Sequence, residues 1–241
     1  MQFGKITTQA AFAVASLLFG YVVAQYEEMV PGSFTDEETG IEFASWSVFT
    51  GAGGVGEFTM GMALPADALE TDATEYIGYL SCSKPSQQET GWCGFAHAGH
   101  MTTDLLLMAW PHEGQVLTSF RYTTGYHMPS PYAGGNATLT QIRSRVGDSS
   151  YEVVFRCRGC FAWPGAGGEE ESVRTSSPDR YAIFGYAQSS VGPTSPACPA
   201  RLTFGFHDNG FAQWIAEYET AVSEKYDQWA ALATETVTGS C

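Results

Sequence analysis

The 241-residue chain carries 26 Asp and Glu against 11 Lys and Arg, a formal net charge of −15, with 44% hydrophobic and only 15% charged residues. This composition supports a sizeable core and excludes intrinsic disorder. So acidic a chain also excludes nucleic acid as a partner, because phosphate backbones need a concentrated positive surface, and it disfavours an anionic membrane.

Residues 1–24 have the pattern of a secretory signal peptide. Lys5 supplies the positive end, Ala10 to Val23 is largely apolar, and Val22-Val23-Ala24 resembles a small-residue cleavage site. Cleavage is predicted between Ala24 and Gln25. The apolar stretch is shorter than the ~20 residues a membrane span needs. The mostly polar tail from Thr234 to Cys241 carries no lipid-anchor signal. A secreted, single domain over residues 25–241 is expected. Lys5 is the only charge removed, so that domain has a formal charge of −16.

Gly51-Ala-Gly53-Gly-Val-Gly56 spells a dinucleotide-binding GxGxxG, but such a site needs a helix next, with its N-terminus facing the pyrophosphate. Here Phe58, Met60, Met62 and Leu64 alternate with Thr59, Gly61 and Ala63, which is strand period. The glycines therefore read as a hairpin loop. Further strands are predicted at Glu75–Leu80, Leu105–Trp110, Val116–Tyr122, Ala137–Ile142, Tyr151–Phe155, Tyr181–Ala187 and Leu202–His207. Eight or more short strands with this spacing indicate an all-β chain, an antiparallel sandwich or barrel. Leu105–Trp110 is apolar on both faces, so one face must meet something other than the opposing sheet. Phe211, Trp214, Ile215, Tyr218, Val222, Tyr226 and Trp229 follow steps of three and four, predicting a C-terminal amphipathic helix capped by Asp208 or Asn209. Asn136-Ala-Thr138 is a glycosylation sequon between turn residues.

Six cysteines in an oxidising compartment read as disulfides. Cys82 and Cys93 flank a turn-rich segment and are expected to pair. Cys157-Arg-Gly-Cys160 has the spacing of a redox motif, half a zinc site or the start of a covalent haem attachment sequence. The last requires a His where Phe161 stands, and a local structural disulfide is the reading adopted. Cys198 with Cys241 then remains by elimination.

No GxSxG elbow and no HExxH motif is present. Among five histidines, His207 differs in context: it shares a strand face with Thr203 and Gly205, which leaves room beside the imidazole for a flat ligand. Met101 likewise follows the small residues of Ala96-His-Ala-Gly-His.

Gly99-His-Met101-Thr-Thr-Asp104-Leu-Leu-Leu-Met-Ala-Trp110, then Thr123-Thr-Gly-Tyr126, then Phe155-Arg-Cys157-Arg-Gly-Cys160, strongly resemble the haem domain of fungal cellobiose dehydrogenases and the related secreted iron-reductase-type cytochromes. Phe34-Thr-Asp-Glu-Glu-Thr-Gly40-Ile-Glu-Phe43 is similar to the start of that domain. The resemblance implies an antiparallel β-sandwich, immunoglobulin-like or DOMON-like, holding one non-covalent haem b between Met101 and His207, with Tyr126 near the exposed haem edge. It also implies an extracellular electron carrier, with a flavin dehydrogenase as donor and a copper-dependent polysaccharide monooxygenase as acceptor. His100, beside Met101, is a rival ligand, Cys82 and Cys93 are additional to the most familiar members, and no flavin domain follows in this chain. The competing reading is a non-redox, secreted carbohydrate-binding β-sandwich module that stacks sugars on exposed Trp and Tyr.

Overall fold

The computed structural model describes residues 29–49, 57–84 and 90–241. The predicted signal segment, the glycine-rich run 51–56 and the centre of the loop between Cys82 and Cys93 lie outside them. The strands are β1 Val30–Thr35, β2 Glu42–Val48, β3 Phe58–Pro65, β4 Glu75–Ser83, β5 Trp92–Ala96, β6 Leu106–His112, β7 Gln115–Tyr122 and β8 Ser130–Pro131. They continue as β9 Thr138–Val146, β10 Ser150–Arg158, β11 Ala162–Pro164, β12 Glu170–Ser172, β13 Tyr181–Ser189, β14 Phe211–Glu217 and β15 Val222–Ser223; α1 is Tyr226–Ala230.

One sheet has the order β1-β2-β3-β4-β10-β9, with β15 paired to β3; the other runs β14-β13-β5-β6-β7-β8. A small β11–β12 hairpin turns through residues 165–169. Strand alternation fills the space between the two sheets. Ala44, Trp46 and Val48, and all of Phe58, Met60, Met62 and Leu64, point inward from the first sheet. Phe95, Leu107, Phe184, Tyr186 and Trp214 meet them from the second. Phe58 stacks on Tyr186 with ring centroids 4.6 Å apart. Close packing leaves no room for a side chain at Gly78: a Cβ there would come within 2.4 Å of the Phe155 ring across the β4–β10 register. The Cys82–Cys93 disulfide staples β4 of one sheet to β5 of the other.

Both sheets are apolar on their outer faces too. On the first, Ile41, Phe43, Ala63, Ile77 and Val154 are covered by Tyr226, Trp229 and Ala230 of α1. On the second, Trp92, Met108, Trp110 and Leu117 are covered by Leu202 and Phe204, with Val237 of the C-terminal tail packed alongside. This is the extra cover that the doubly apolar Leu105–Trp110 run requires. The Cys198–Cys241 disulfide ties the covering segment to the tail.

Two predicted elements differ. Leu202–His207 alternates but forms no strand; it is an extended cover whose bridge Thr203↔Thr194 stands outside the sheets. The predicted helix over Phe211–Trp229 is a helix only at Tyr226–Ala230. Residues 211–217 satisfy strand period as well as helix period: Trp214 and Ala216 are buried while Phe211, Gln213 and Ile215 face outward. The open edge of β13 supplies a full ladder of backbone partners, and that decides the matter in favour of a strand.

His97, fully buried between the sheets, is the core's main polar group. Its Nδ1–H donates to the Leu105 carbonyl at 2.6 Å, which leaves Nε2 to accept the Tyr76 hydroxyl at 2.9 Å. Burial lowers its pKa to about 4. An unfolded His titrates near 6.5, so this stability is present above pH 6.5 and is lost as pH falls toward 4. Relative to His97→Gln, the native protein should lose about 3 kcal/mol between pH 7 and pH 4, read from urea denaturation at each pH.

The disulfides should differ with the chain they close. Cys198 and Cys241 are 43 residues apart and Cys157 and Cys160 only three. In the chain-entropy treatment, replacing the first pair by Ser should cost about 4 kcal/mol and the second about 2. Denaturation of the two double variants checks the order.

Candidate functional site

The outer face of the second sheet divides into two halves. Outward positions follow from register: Gly185 pairs with Ala96, Ala96 with Leu106 and Leu106 with Arg121; the next outward row is Ala187, Gly94, Met108 and Ser119. The Met108 side lies under Leu202 and Phe204. On the β13–β5 side the outward residues are Gly94, Ala96, Gly185 and Ala187, a floor with almost no side chain. Beside it, β13 and β14 present Ile183, Phe211 and Ile215, 47%, 63% and 61% exposed. Small residues flanked by exposed apolar ones on a sheet face form a shallow seat for a flat apolar ligand.

The loop that carries Met101 descends on one end of this floor. It leaves β5 and returns at Leu105, closed at its base by His97 N–H to the Leu105 carbonyl at 3.3 Å. Gly99 adopts φ +81°, and its backbone lies so close over Gly185 that a Cβ on Gly185 would sit 2.9 Å from the Gly99 carbonyl oxygen. Gln213 Nε2 donates to that same carbonyl at 2.5 Å. Asp104 Oδ2 accepts the N–H of Ala98 at 2.8 Å and of His100 at 3.1 Å. Burial pushes the Asp104 pKa up to about 7, against the opposing effect of the surrounding backbone N–H groups. Met101 itself is half-buried and His100 exposed.

His207 lies at the other end of the same β13–β14 pair. Asp208 holds its loop: Oδ1 accepts Ser189 Oγ at 2.8 Å and Ser190 N–H at 2.9 Å, and Oδ2 accepts Ser190 Oγ at 2.9 Å. These bonds are the role of Asp208, in place of the predicted helix cap. The His207 ring is flanked by Phe206 and Phe211 at centroid distances of 4.2 and 4.6 Å. Its Nδ1 is buried with no hydrogen-bond partner. Burial lowers its pKa, which favours the neutral ring with its lone pair. Gly205, two residues earlier, has nothing within 4 Å of where a Cβ would stand. Open space, a neutral imidazole with an orphaned nitrogen, and a side-chain-free floor fit a haem between a histidine and a thioether.

Tyr126 is 90% exposed on the loop after β7. That loop is pinned to the Met101 loop by Thr103 N–H donating to the Thr123 carbonyl at 2.8 Å. Trp163 Nε1 donates to the Thr103 carbonyl at 3.3 Å. Arg121, on the outer row, is fully buried; its guanidinium donates to Ser119 Oγ at 3.0 Å and to the carbonyls of Pro129 and Pro199.

Other predicted residues lie apart. Cys157 and Cys160 form a disulfide at the end of β10, with the His97 ring nitrogen within 4.8 Å of their sulfurs. Asn136 is exposed and lines a cleft of about 840 Å³ beneath the β11–β12 hairpin. That cleft contains neither Met101 nor His207. Of the residues that anchor the site, Gln213 carried no signal in the sequence, Asp104 and Thr123 stood only within the family blocks, and Asp208 only as a candidate helix cap.

Residues 34–228 match the family described as the cytochrome domain of cellobiose dehydrogenase. The cytochrome domain of Myriococcum thermophilum cellobiose dehydrogenase is 43% identical with a TM-score of 0.82, covering 88% of this chain and all of that one. The cytochrome b domain of pyranose dehydrogenase from Coprinopsis cinerea is 24% identical and shares the fold, with a TM-score of 0.67 over 87% of this chain and all of that one. The pyrroloquinoline quinone-dependent pyranose dehydrogenase of Coprinopsis cinerea is 27% identical over 217 residues, 89% of this chain and 27% of that protein. The chain thus spans about a quarter of the length of the curated relative it matches. A match that runs from β1 to α1 and takes in both loops over the glycine floor makes the chain a member of the cellobiose dehydrogenase cytochrome-domain family, b-type cytochromes of electron transfer.

Proposed function

We propose that this chain is a secreted cytochrome in which Met101 and His207 are the axial ligands of a non-covalent haem b, and that it relays single electrons from a dehydrogenase to an extracellular acceptor. The observation that carries the reading is the pair of aspartate-anchored loops, one bearing Met101 and one bearing His207, at either end of a glycine–alanine floor. Met101 is preferred to His100 because it is half-buried, whereas His100 is exposed, with Nδ1 3.3 Å from Gln213 Nε2. Haem bound there supplies a reversible one-electron couple. Two protein ligands close both axial positions to oxygen and substrate, and the thioether raises the reduction potential relative to a second imidazole. Phe161 after the paired Cys157 and Cys160 supports non-covalent binding.

Residues 1–24 are a cleaved signal peptide in this reading, residues 25–241 one domain, and Asn136 a glycan site. Among the described residues no helix is long and apolar enough to cross a membrane. Electrons enter and leave near Tyr126, because the axial positions are filled by protein. The donor is a sugar dehydrogenase domain or protein. The family resemblance points to a flavin enzyme, while the Coprinopsis cinerea relative is by name pyrroloquinoline quinone-dependent. A copper-dependent polysaccharide monooxygenase is the proposed acceptor. The carbohydrate-binding alternative is the weaker one, because all six tryptophans are buried, leaving Tyr126 and Tyr181 as the large exposed tyrosines among the described residues.

The purified protein should show a sharp Soret band, with split visible bands on reduction. His207→Ala should lose the low-spin spectrum, and Met101→His should keep haem but lower the potential. Protein that stays colourless after haem supplementation would overturn the cytochrome reading, and an unchanged low-spin His207→Ala would overturn the ligand assignment.

The acidic surface generates a second expectation. Like-charge repulsion acts over ~10 Å at 0.1 M salt, so divalent cations, or a fall in pH toward carboxylate pKa values, should speed reduction by an acidic donor protein several-fold. Reduction by ascorbate, a small donor, should respond less. Stopped-flow traces at several cation concentrations test this, and equal responses would exclude repulsion as the limit on docking.

A further inference from the structure

The geometry points to Asp104 as the positioning residue of the ligand loop: its buried carboxylate fixes the backbone of Ala98 and His100 and so sets the bond between Met101 and the haem iron. The inference rests on Met101 as the axial ligand proposed above.

Methionine has three rotatable side-chain bonds and a soft, adaptable thioether, so a thioether ligand is only as well placed as the backbone beneath it. Among the described residues no hydrogen bond involves Met101. What holds its loop is Asp104, which reaches back four and six positions with one oxygen. Oδ2 accepts the His100 N–H, immediately before Met101, at 3.1 Å and the Ala98 N–H at 2.8 Å. The next residue, Leu105, closes the loop base against His97. Thr103, between ligand and carboxylate, is held at φ +56°, a conformation unfavourable for a β-branched residue unless its surroundings impose it.

Asp104 is 0% exposed, and its Oδ1 is buried with no hydrogen-bond partner. No salt bridge neutralises it among the described residues. The contrast is Asp36, which burial alone would raise in pKa but which Arg143, donating from Nε at 2.7 Å, holds below the usual carboxylate range. A buried carboxylate without a cation is costly to a fold. An asparagine would supply the same acceptor oxygen to the two amides without a charge, so loop folding alone does not call for aspartate. A negative charge close behind a ligand loop has a further effect: it favours the oxidised iron and lowers the potential.

The experiment compares the holoprotein with Asp104→Asn, Asp104→Ala and Met101→Ala, reading the visible spectrum, the midpoint potential and amide exchange at Ala98 and His100. Asp104→Asn keeps the acceptor and removes the charge. It should retain the low-spin spectrum and near-native exchange at both amides, with a higher potential at pH 9, where the native carboxyl, with its pKa of about 7, is ionised. Asp104→Ala removes both bonds. Exchange at the two amides should rise about tenfold or more, and the low-spin spectrum should weaken as Met101 leaves the iron, while exchange in β6 and β7 stays as it was. A native spectrum and potential in Asp104→Ala would overturn the inference. If Asp104→Ala does not fold, Asp104→Asn decides at pH 9: a raised potential supports the inference and an unchanged one overturns it. If Met101→Ala keeps the native low-spin spectrum, the ligand assignment itself has failed. The amide exchange of the Asp104 variants then still reports whether this carboxylate holds the loop.

Discussion

A β-sandwich must cover every apolar sheet face, and here both sheets are apolar on both sides. The inner faces satisfy one another through Phe58, Tyr186, Phe184 and Trp214. The outer face of the first sheet is closed by the short helix that brings Tyr226 and Trp229 onto Ile77 and Val154. The outer face of the second sheet is closed only in part by the chain, where Leu202 and Phe204 lie on Trp92 and Met108. The rest is a floor of glycine and alanine beside exposed Ile183 and Phe211. Apolar area left in this state is where a cofactor gains most from binding, because its burial completes the layer.

The two loops at this floor share one physical solution. Neither Met101 nor His207 stands on a strand, yet each is followed within three residues by an aspartate that accepts backbone N–H. Asp104 folds its loop back on Ala98 and His100, and Asp208 clips its loop to Ser189 and Ser190 at the end of β13. Their surroundings differ in a telling way. Several donors hold the Asp208 pKa down, those at the Ser190 backbone and Ser189 hydroxyl foremost, whereas burial raises Asp104. One loop is therefore pinned by an ordinary surface carboxylate and the other by a buried one.

Charge is distributed with equal economy. Arginines that face the first sheet's outer rim are matched by acids, as in Arg143 with Asp36 and Glu152 and Arg156 with Glu75. Apart from buried Asp104, most of the remaining acids among the described residues lie at the surface, where they repel acidic proteins except where orientation or cations relieve the field. A surface of that kind favours brief encounters over stable complexes, which suits a relay of single electrons.

The period-two alternation of Phe58–Leu64, the doubly apolar Leu105–Trp110 and the spacing of turn residues determined an all-β sandwich, because a strand's faces are written locally in every second residue. The even cysteine count in the same way implied disulfides, and the block from Gly99 to Trp110 was distinctive enough to carry the family. The fate of residues 211–217 was not legible. Their apolar positions fit both periods, and only the free edge of β13, far away in sequence, made them a strand. Leu202–His207 alternated like a strand but found no ladder, since β14 had taken that edge. The site was legible as two residue types in small-residue surroundings and no further. The glycine–alanine floor comes from β5 and β13, some ninety residues apart, and the carboxylates that hold the loops act through backbone amides that have no sequence signature. Local periodicity determines which residues face inward; which faces meet, and what is left uncovered, depends on long-range strand pairing that only the folded chain decides.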